Sequence, residues 1–445
     1  MKSSITRRTF LETTAGVGVG LGVAPGFAAM RGVDAPNNKV VVAIVGTNSR
    51  GKSLAQNFAR LAGAEVAYVC DVDQQAAEKA AAAVKTIQNK DPKQVKDFRR
   101  ILEDRSVDAL AIATPDHWHA PAAIAACTAG KHVYVEKPCS HNPREGELLV
   151  EAARKHKRAA QMGSQRRSWP RLIEAIESIK SGLIGRVYYS RGWYANHRDS
   201  IGSGKIAAAP SWLDYDLWQG PAPRRPFRDN LIHYNWHWFW HWGTGEAGNN
   251  GVHALDLCRW GLGVDYPTRV TSSGGRFHFS DDWETPDTQV INFEFDGGKQ
   301  ITWEGLSSNG YGLDGSGFGV SFHGEKGALV IGGGDSYTVY DRAGKEVKKV
   351  SGRPDEQKID LTGPAASLDA VHLANFLDAI RSGKPLASEI EEGHKSTLLT
   401  QLGNIALRVG RMLRCDPQNG RILGDKEAMA LWTREYERGW EPRVT

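Results

Sequence analysis

The segment Val45-Gly46-Thr47-Asn48-Ser49-Arg50-Gly51 ends a short apolar run and is spaced to hold a phosphate-bearing ligand. A tight turn there aims backbone N–H groups, and the positive end of the helix that follows, at a pyrophosphate. The usual dinucleotide fingerprint is G-x-G-x-x-G. This chain has Gly46-x-Asn48-x-x-Gly51. Asparagine tolerates a left-handed backbone better than most residues, but its side chain occupies space that a middle glycine leaves open. Asp71 ends the next apolar run. A carboxylate there can accept hydrogen bonds from ribose hydroxyls and repel a 2′-phosphate, which favours NAD over NADP. The alternative is that Asp71 caps a helix and the glycines serve packing.

A second group with chemical potential is the run from Asn235 to Trp242, where Trp236, Trp238, Trp240 and Trp242 alternate with His237, Phe239 and His241. If extended, it would present one face of indoles, and a helix would spread them around its circumference. Indole faces suit the C–H faces of a pyranose, so the run could wall a substrate pocket; packing in a core or interface is the alternative. His237 and His241 lack the nearby acidic pattern of a metal site, and no metal is expected.

These groups need elements to position them. Lys39–Val45, Glu65–Cys70, Val107–Ala113, His132–Val135 and Ala159–Met162 read as buried strands. They alternate with helical segments at Ser53–Leu61, Asp73–Val84, Pro121–Ala129 and Arg144–His156, which implies a doubly wound parallel sheet. After Gly163, a helix at Pro170–Lys180 precedes strands at Val187–Trp193, Thr268–Gly275, Gln289–Phe295, Gln300–Gly305, Gly319–His323 and Ala328–Ile331. Turn signals between them imply a largely antiparallel open sheet in an α+β domain. From Ser367 to Met412 the pattern returns to helix, with Phe376, Leu377 and Ile380 on one face and Gly383 as a stop.

With 445 residues and a net charge of only +5, the chain reads as a two-domain globular protein with no reason to invoke nucleic acid. Its five cysteines are scattered and read as buried free thiols. The Thr-Arg-Arg-Thr-Phe-Leu run at residues 6–11, followed by the uncharged stretch Ala15–Ala29, resembles a twin-arginine export signal. That stretch is too short and glycine-rich for stable membrane insertion. Export to the periplasm is expected, with cofactor loaded before translocation.

Three further segments carry a family resemblance: Thr114-Pro115-Asp116-His117-Trp118-His119, then Gly130 through Glu136-Lys137-Pro138, and Gly248-Asn249-Asn250-Gly251-Val252-His253-Ala254-Leu255-Asp256. With the glycine loop, they resemble the Gfo/Idh/MocA sugar oxidoreductases over nearly the whole chain after residue 39. The resemblance implies an N-terminal Rossmann domain (39–162) behind a signal at 1–30. It also implies a C-terminal α/β substrate and oligomerisation domain (163–445), a carbohydrate substrate and a homo-oligomer. Candidate cofactor contacts are Gly46, Asn48, Ser49, Arg50, Gly51 and Asp71 in the first part. Thr114, Pro115, His119, Glu136 and Lys137 follow on the later strands. Candidate substrate contacts are Gln165, Arg166, Trp238 and Trp242.

Lys137 follows a strand at the carboxyl edge of the parallel sheet, where its ammonium could stabilise alkoxide character as hydride leaves. His253 is the candidate base, since imidazole titrates near neutrality. Many family members carry aspartate four residues before this histidine; here it is Asn249. An amide can orient a hydroxyl or a lysine but supplies no charge, so electrostatic support for Lys137 is expected to be weaker. Asp256 could orient His253 or pair with Arg259. The leading expectation is an exported NAD-dependent sugar oxidoreductase. A glycoside hydrolase working by transient oxidation and a non-catalytic sugar-binding protein are the alternatives.

Overall fold

In a computed structural model, residues 39–352 and 366–445 are described; the expected signal at 1–30 lies outside them. The N-terminal part runs β1 (Val40–Val45), α1 (Arg50–Arg60), β2 (Ala64–Cys70), α2 (Gln74–Gln88), β3 (Lys93–Val95), α3 (Arg99–Leu102), β4 (Ala109–Ile112), α4 (Asp116–Thr128), β5 (His132–Val135), α5 (Pro143–Lys155) and β6 (Ala160–Met162). Its six strands form a parallel sheet in the order β3-β2-β1-β4-β5-β6. The order reverses beside β1, so the loops after β1 and β4 part and leave a crevice at their carboxyl ends. The buried, β-branched character of β1 is what a strand covered on both faces requires.

The remainder adds α6 (Pro170–Lys180), β7 (Val187–Ala195), α7 (Tyr215–Gln219) and α8 (Val252–Leu262). Next come β8 (Arg269–Gly275), β9 (Thr288–Phe295), β10 (Lys299–Leu306), β11 (Phe318–Gly324), β12 (Gly327–Ile331), β13 (Tyr337–Asp341) and β14 (Glu346–Val350). The last elements are α9 (Ala366–Ser382), α10 (Ile390–Val409), β15 (Leu413–Arg414) and α11 (Lys426–Ala430). The nine-stranded sheet has the order β14-β13-β12-β11-β7-β10-β9-β8-β15. Its pairs are antiparallel except β7 with β10. The alternating burial of β9 marks one covered face, packed under α8 and α10.

The expected fold class holds, with one correction in detail. Helix α4 begins at Asp116, five residues before Pro121, the expected start. A proline inside a helix cannot donate to the carbonyl four residues back. Here that carbonyl belongs to His117, and Arg434 donates to it instead at 2.8 Å. Helix α9 lies late in the chain yet packs Leu373, Phe376 and Leu377 into one core with Ile44 of β1 and Leu54 and Phe58 of α1. All five cysteines are buried and free. No helix among the described residues is long and apolar enough to cross a membrane.

Candidate active site

A cavity of about 520 Å³ opens along the carboxyl ends of β1, β2, β4 and β5 and continues to the first turn of α8. At its β1 end the backbone is close-packed. A Cβ on Gly46 (φ +79°) would lie 2.7 Å from the Ala113 carbonyl and the Thr114 amide, and one on Gly51 would lie 1.7 Å from the Gly46 carbonyl oxygen. Both glycines are therefore demanded by backbone proximity. The non-glycine residue of positive φ in the turn is Ser49 (φ 38°) rather than Asn48. Asn48 is exposed at the rim, where its carbonyl accepts from Gly51. Helix α1 has no side-chain cap and no acid in its first turn, so its positive end is free to face an anion.

Asp71 does not cap α2; Asp73 does, accepting from the amides of Gln75 and Ala76. The Asp71 carboxylate accepts from the Thr47 amide at 2.6 Å, the Thr47 hydroxyl at 3.1 Å and the Asp73 amide at 2.9 Å. Burial raises its pKa and these donated bonds oppose the rise. It lines the cavity, so a carboxylate stands where ribose hydroxyls of a dinucleotide would lie. Thr114 also lines the cavity, with a buried hydroxyl that has no partner among the described residues. The glycine cradle, uncapped helix end, carboxylate and orphan hydroxyl fit NAD.

Arg50 and His119, expected at the cofactor, both line the cavity and are also tied to protein. The Arg50 guanidinium donates to Glu136 at 2.7 Å and to both Asp369 oxygens at 2.8 and 2.9 Å. Three of its five N–H groups are engaged, and it clamps α9 to the sheet. Glu136 accepts from Arg50 and, at 3.3 Å, from Gln165. The two nitrogens of His119 face the carbonyls of Pro138 (2.6 Å) and Thr114 (2.7 Å), leaving none for a ligand. Pro115 lines the cavity between these groups.

At the far end, Lys137 and His253 share the cavity with Asn249. Asn249 sits on a π-helical turn, Ala247–Gly251, that leads into α8. Its glycines are required by crowding: a Cβ on Gly248 would lie 1.9 Å from the Thr244 hydroxyl, and one on Gly251 2.8 Å from the Trp303 ring. The Lys137 ammonium donates to the Asn249 backbone carbonyl at 2.6 Å and to its side-chain oxygen at 3.1 Å. An ammonium has three donors, so one remains for a substrate oxygen. Burial lowers the Lys137 pKa, while Glu136, Asp116 and Glu246 oppose that shift. Asparagine at 249 thus keeps the acceptor geometry, and the carboxylates farther out oppose burial only in part, leaving the Lys137 pKa lowered.

Asp116 and Glu246 were not singled out in the sequence. Asp116 was legible as part of the Thr-Pro-Asp-His-Trp-His segment; it accepts from Thr244 at 2.5 Å and joins α4 to the π turn. Glu246 lies three residues before Asn249 and pairs with Arg198 at 2.7 Å. It also accepts from Asn250 at 2.5 Å and Asn249 at 3.4 Å.

His253 lines the cavity, and its ring has no hydrogen-bond partner among the described residues. Burial, then the charges of Arg166, Lys137 and Arg50, push its pKa well below the ordinary value. It is therefore neutral at pH 7 and able to accept a proton. Asp256 orients neither His253 nor Arg259. It forms a buried bidentate pair with Arg167 (2.9–3.0 Å) and accepts from Ser396 at 2.6 Å.

The tryptophan run is neither one strand nor a long helix; Asn235–Trp238 forms a short 3-10 turn. Trp238 stacks on Trp283 with centroids 3.9 Å apart, and Trp242 packs edge-on against Trp218. Neither lines the cavity; Trp236 and His237, stacked at 3.6 Å, do. His237 and His241 face the carbonyls of Tyr234 and Pro223. Gln165 and Arg166 both reach the cavity.

Residues 40–164 match the model of an oxidoreductase family with an NAD-binding Rossmann fold, and residues 204–411 match the C-terminal alpha/beta domain of the same family. A glycosyl hydrolase family 109 protein of Saccharopolyspora erythraea is 31% identical over 226 residues, covering 46% of this chain and 49% of the relative. An alpha-N-acetylgalactosaminidase of Shewanella oneidensis is 27% identical over 213 residues, covering 43% and 46%. The aligned part thus spans about half the length of these curated relatives. Among solved structures, levoglucosan dehydrogenase in complex with NADH and levoglucosan is similar in fold. Its TM-score is 0.66 at 20% identity, covering 84% of this chain and 99% of that one. Aldose-aldose oxidoreductase from Caulobacter crescentus has a TM-score of 0.62 at 19% identity, covering 84% and 99%.

Proposed function

Because the chain belongs to the Gfo/Idh/MocA oxidoreductase family, with an NAD-binding Rossmann domain, we propose that it moves hydride between a sugar or glycoside hydroxyl and a tightly held NAD. The observation that carries this reading is one cavity with Asp71 at one end and, at the other, a neutral His253 beside a lysine with a spare donor. Lys137 donates to the reacting oxygen and stabilises its developing negative charge. The His253 imidazole takes the hydroxyl proton and returns it in the reverse direction. Bound NAD supplies the hydride acceptor. Asn249 holds the ammonium in place, and Asp71 favours NAD over NADP by repelling a 2′-phosphate.

The pH dependence of kcat/KM for oxidation tests the base. Its acid limb is expected below pH ~6.5, the ordinary imidazole value. Arg166→Gln should move that limb upward, because loss of a nearby positive charge lets the ring hold its proton more tightly. An unmoved limb in this variant, with the same limb surviving His253→Ala, would remove His253 from the role.

A hydrolytic outcome of the same site is favoured by the similarity to a glycosyl hydrolase family 109 protein and an alpha-N-acetylgalactosaminidase. There the sugar is oxidised at one carbon, the acidified neighbouring C–H loses its proton, the aglycone departs, water adds, and hydride returns. Incubation of the NAD-loaded chain with p-nitrophenyl N-acetyl-α-galactosaminide in D₂O separates the two. Deuterium beside the oxidised carbon, with no net reduced cofactor, supports hydrolysis. A keto-sugar accumulating with reduced cofactor supports the plain dehydrogenase. If neither this substrate nor a panel of neutral and acidic free sugars produces any exchange, the hydride reading fails.

The proposal includes export and self-association. Arg7, Arg8 and the uncharged stretch to Ala29 support twin-arginine export into the periplasm. A reporter fused behind residues 1–38 should leave the cytoplasm, and Arg7→Lys with Arg8→Lys should retain it; a reporter retained with both arginines present overturns export. Self-association through the nine-stranded sheet is supported by family membership alone.

A further inference from the structure

Arg166 is a buried cation with no acidic partner among the described residues. Only 7% of the residue is exposed, and its Nε is buried without a hydrogen-bond acceptor. Its guanidinium lies 4.2 Å from the Phe318 ring centroid and 5.0 Å from that of Trp169. Burial alone pulls its pKa down to about 10, with no carboxylate opposing the shift. Neighbouring guanidinium groups are treated differently. Arg167 is held by Asp256, Arg50 by Glu136 and Asp369, and Arg198 by Glu246. Arg166 is left unpaired on the wall it shares with His253.

An unpaired buried guanidinium is unfavourable unless a ligand completes it. Its central carbon lies over two aromatic rings and its Nε is buried, which favours ligand contact along the edge that carries the terminal nitrogens. That edge is a planar fork matched to a carboxylate or another oxyanion. The same contact would not suit a neutral hydroxymethyl group. The dinucleotide phosphates already have a fitting place at the uncapped end of α1.

We propose that Arg166 selects sugars bearing an anionic substituent, a carboxylate or a sulfate ester, and seats that group beside His253. The inference rests on the sugar-directed reading above. It makes an acidic sugar, rather than a neutral hexose, the preferred substrate class. Arg166 is a specificity determinant here, and proton transfer stays with His253.

Calorimetric titration of the NAD-loaded full chain tests this without requiring turnover. The probes are D-galacturonate, D-galactose 6-sulfate, D-galactose and D-galacturonamide. Galacturonate, the 6-sulfate or both are expected to bind roughly 30–100-fold more tightly than galactose and the amide, about 2–3 kcal/mol at ~1.4 kcal/mol per decade. Whichever anion shows the preference identifies its source. Arg166→Gln should collapse the anion-to-neutral ratio to near one, and Arg166→Lys, which keeps the charge without the fork, should leave an intermediate ratio. Equal binding of all four probes by the unaltered chain overturns the proposal, as does a ratio that survives Arg166→Gln. A loss of NAD affinity in that variant as large as the loss for the anion also overturns it, because the guanidinium would then serve the dinucleotide. If Arg166→Gln does not fold, the lysine variant and the unaltered chain decide. An anionic sugar that binds with the expected ratio but never exchanges hydride sinks the redox reading and leaves the Arg166 assignment standing.

Discussion

Lys137→Ala is expected to lower kcat for sugar oxidation by about 10³–10⁴-fold while NAD stays bound. The ammonium is buried and aimed: two of its donors are held by Asn249 and the third is left for the substrate oxygen. Alanine removes the donor and leaves both Asn249 oxygens without the cation they hold. NAD should remain because the glycine turn and Asp71 lie on β1 and β2, away from this side chain. Stopped-flow measurement of cofactor reduction, with the bound dinucleotide quantified after denaturation, separates the two effects. Turnover within tenfold of the unaltered chain would take Lys137 out of the mechanism. Loss of NAD together with turnover would make it a cofactor anchor instead.

Gly51→Ala should weaken NAD binding by at least ~100-fold, equivalent to about 3 kcal/mol, and destabilise the first domain by roughly 1–3 kcal/mol. The added methyl would lie 1.7 Å from the Gly46 carbonyl oxygen and 2.7 Å from its carbon, and these are backbone atoms with no rotamer to change. Relief requires α1 to move away from the turn that opens it, which carries the helix N-terminus off the phosphate position. Gly130→Ala is the matched control. Unlike Gly51 it has a positive φ of 79°, so alanine there adds backbone strain, but its Cβ would meet nothing within 4 Å and the strain falls far from the nucleotide turn. Fluorescence titration with NAD and urea unfolding of both variants check this. A Gly51→Ala protein that binds NAD within threefold of the original would show that close approach of α1 to Gly46 is not what shapes the site.

Much of the scaffold was legible because local patterns report local geometry. Apolar β-branched runs alternating with helical spacing imply a parallel sheet, and β5 occurs at the expected His132–Val135. The capping role suggested as an alternative for Asp71 goes to Asp73, two residues on, because the chain must first leave the strand before α2 can start. Helix α4 was misplaced because Pro121 looks like a boundary, and the donor that compensates for it, Arg434, is 317 residues away from His117. At Asn249, spacing identified both the position and the loss of charge, which Glu136, Asp116 and Glu246 oppose only in part, so the Lys137 pKa stays lowered.

By itself the sequence determined the order of elements, the glycine turn, the acidic end of β2, and the presence of a lysine after β5 and a histidine opening α8. These follow from which residues can adopt a given backbone conformation and which face they present. Only the tertiary structure decided what each polar group is free to do. Arg50 is clamped by Asp369 across 319 residues, Asp256 pairs with Arg167, and Trp238 stacks on Trp283, while Arg166 is left unpaired among the described residues. The reason is physical. In a low-dielectric interior a buried charge or ring takes the partner that packing brings to it, and neither period nor spacing along the chain specifies which distant segment that will be.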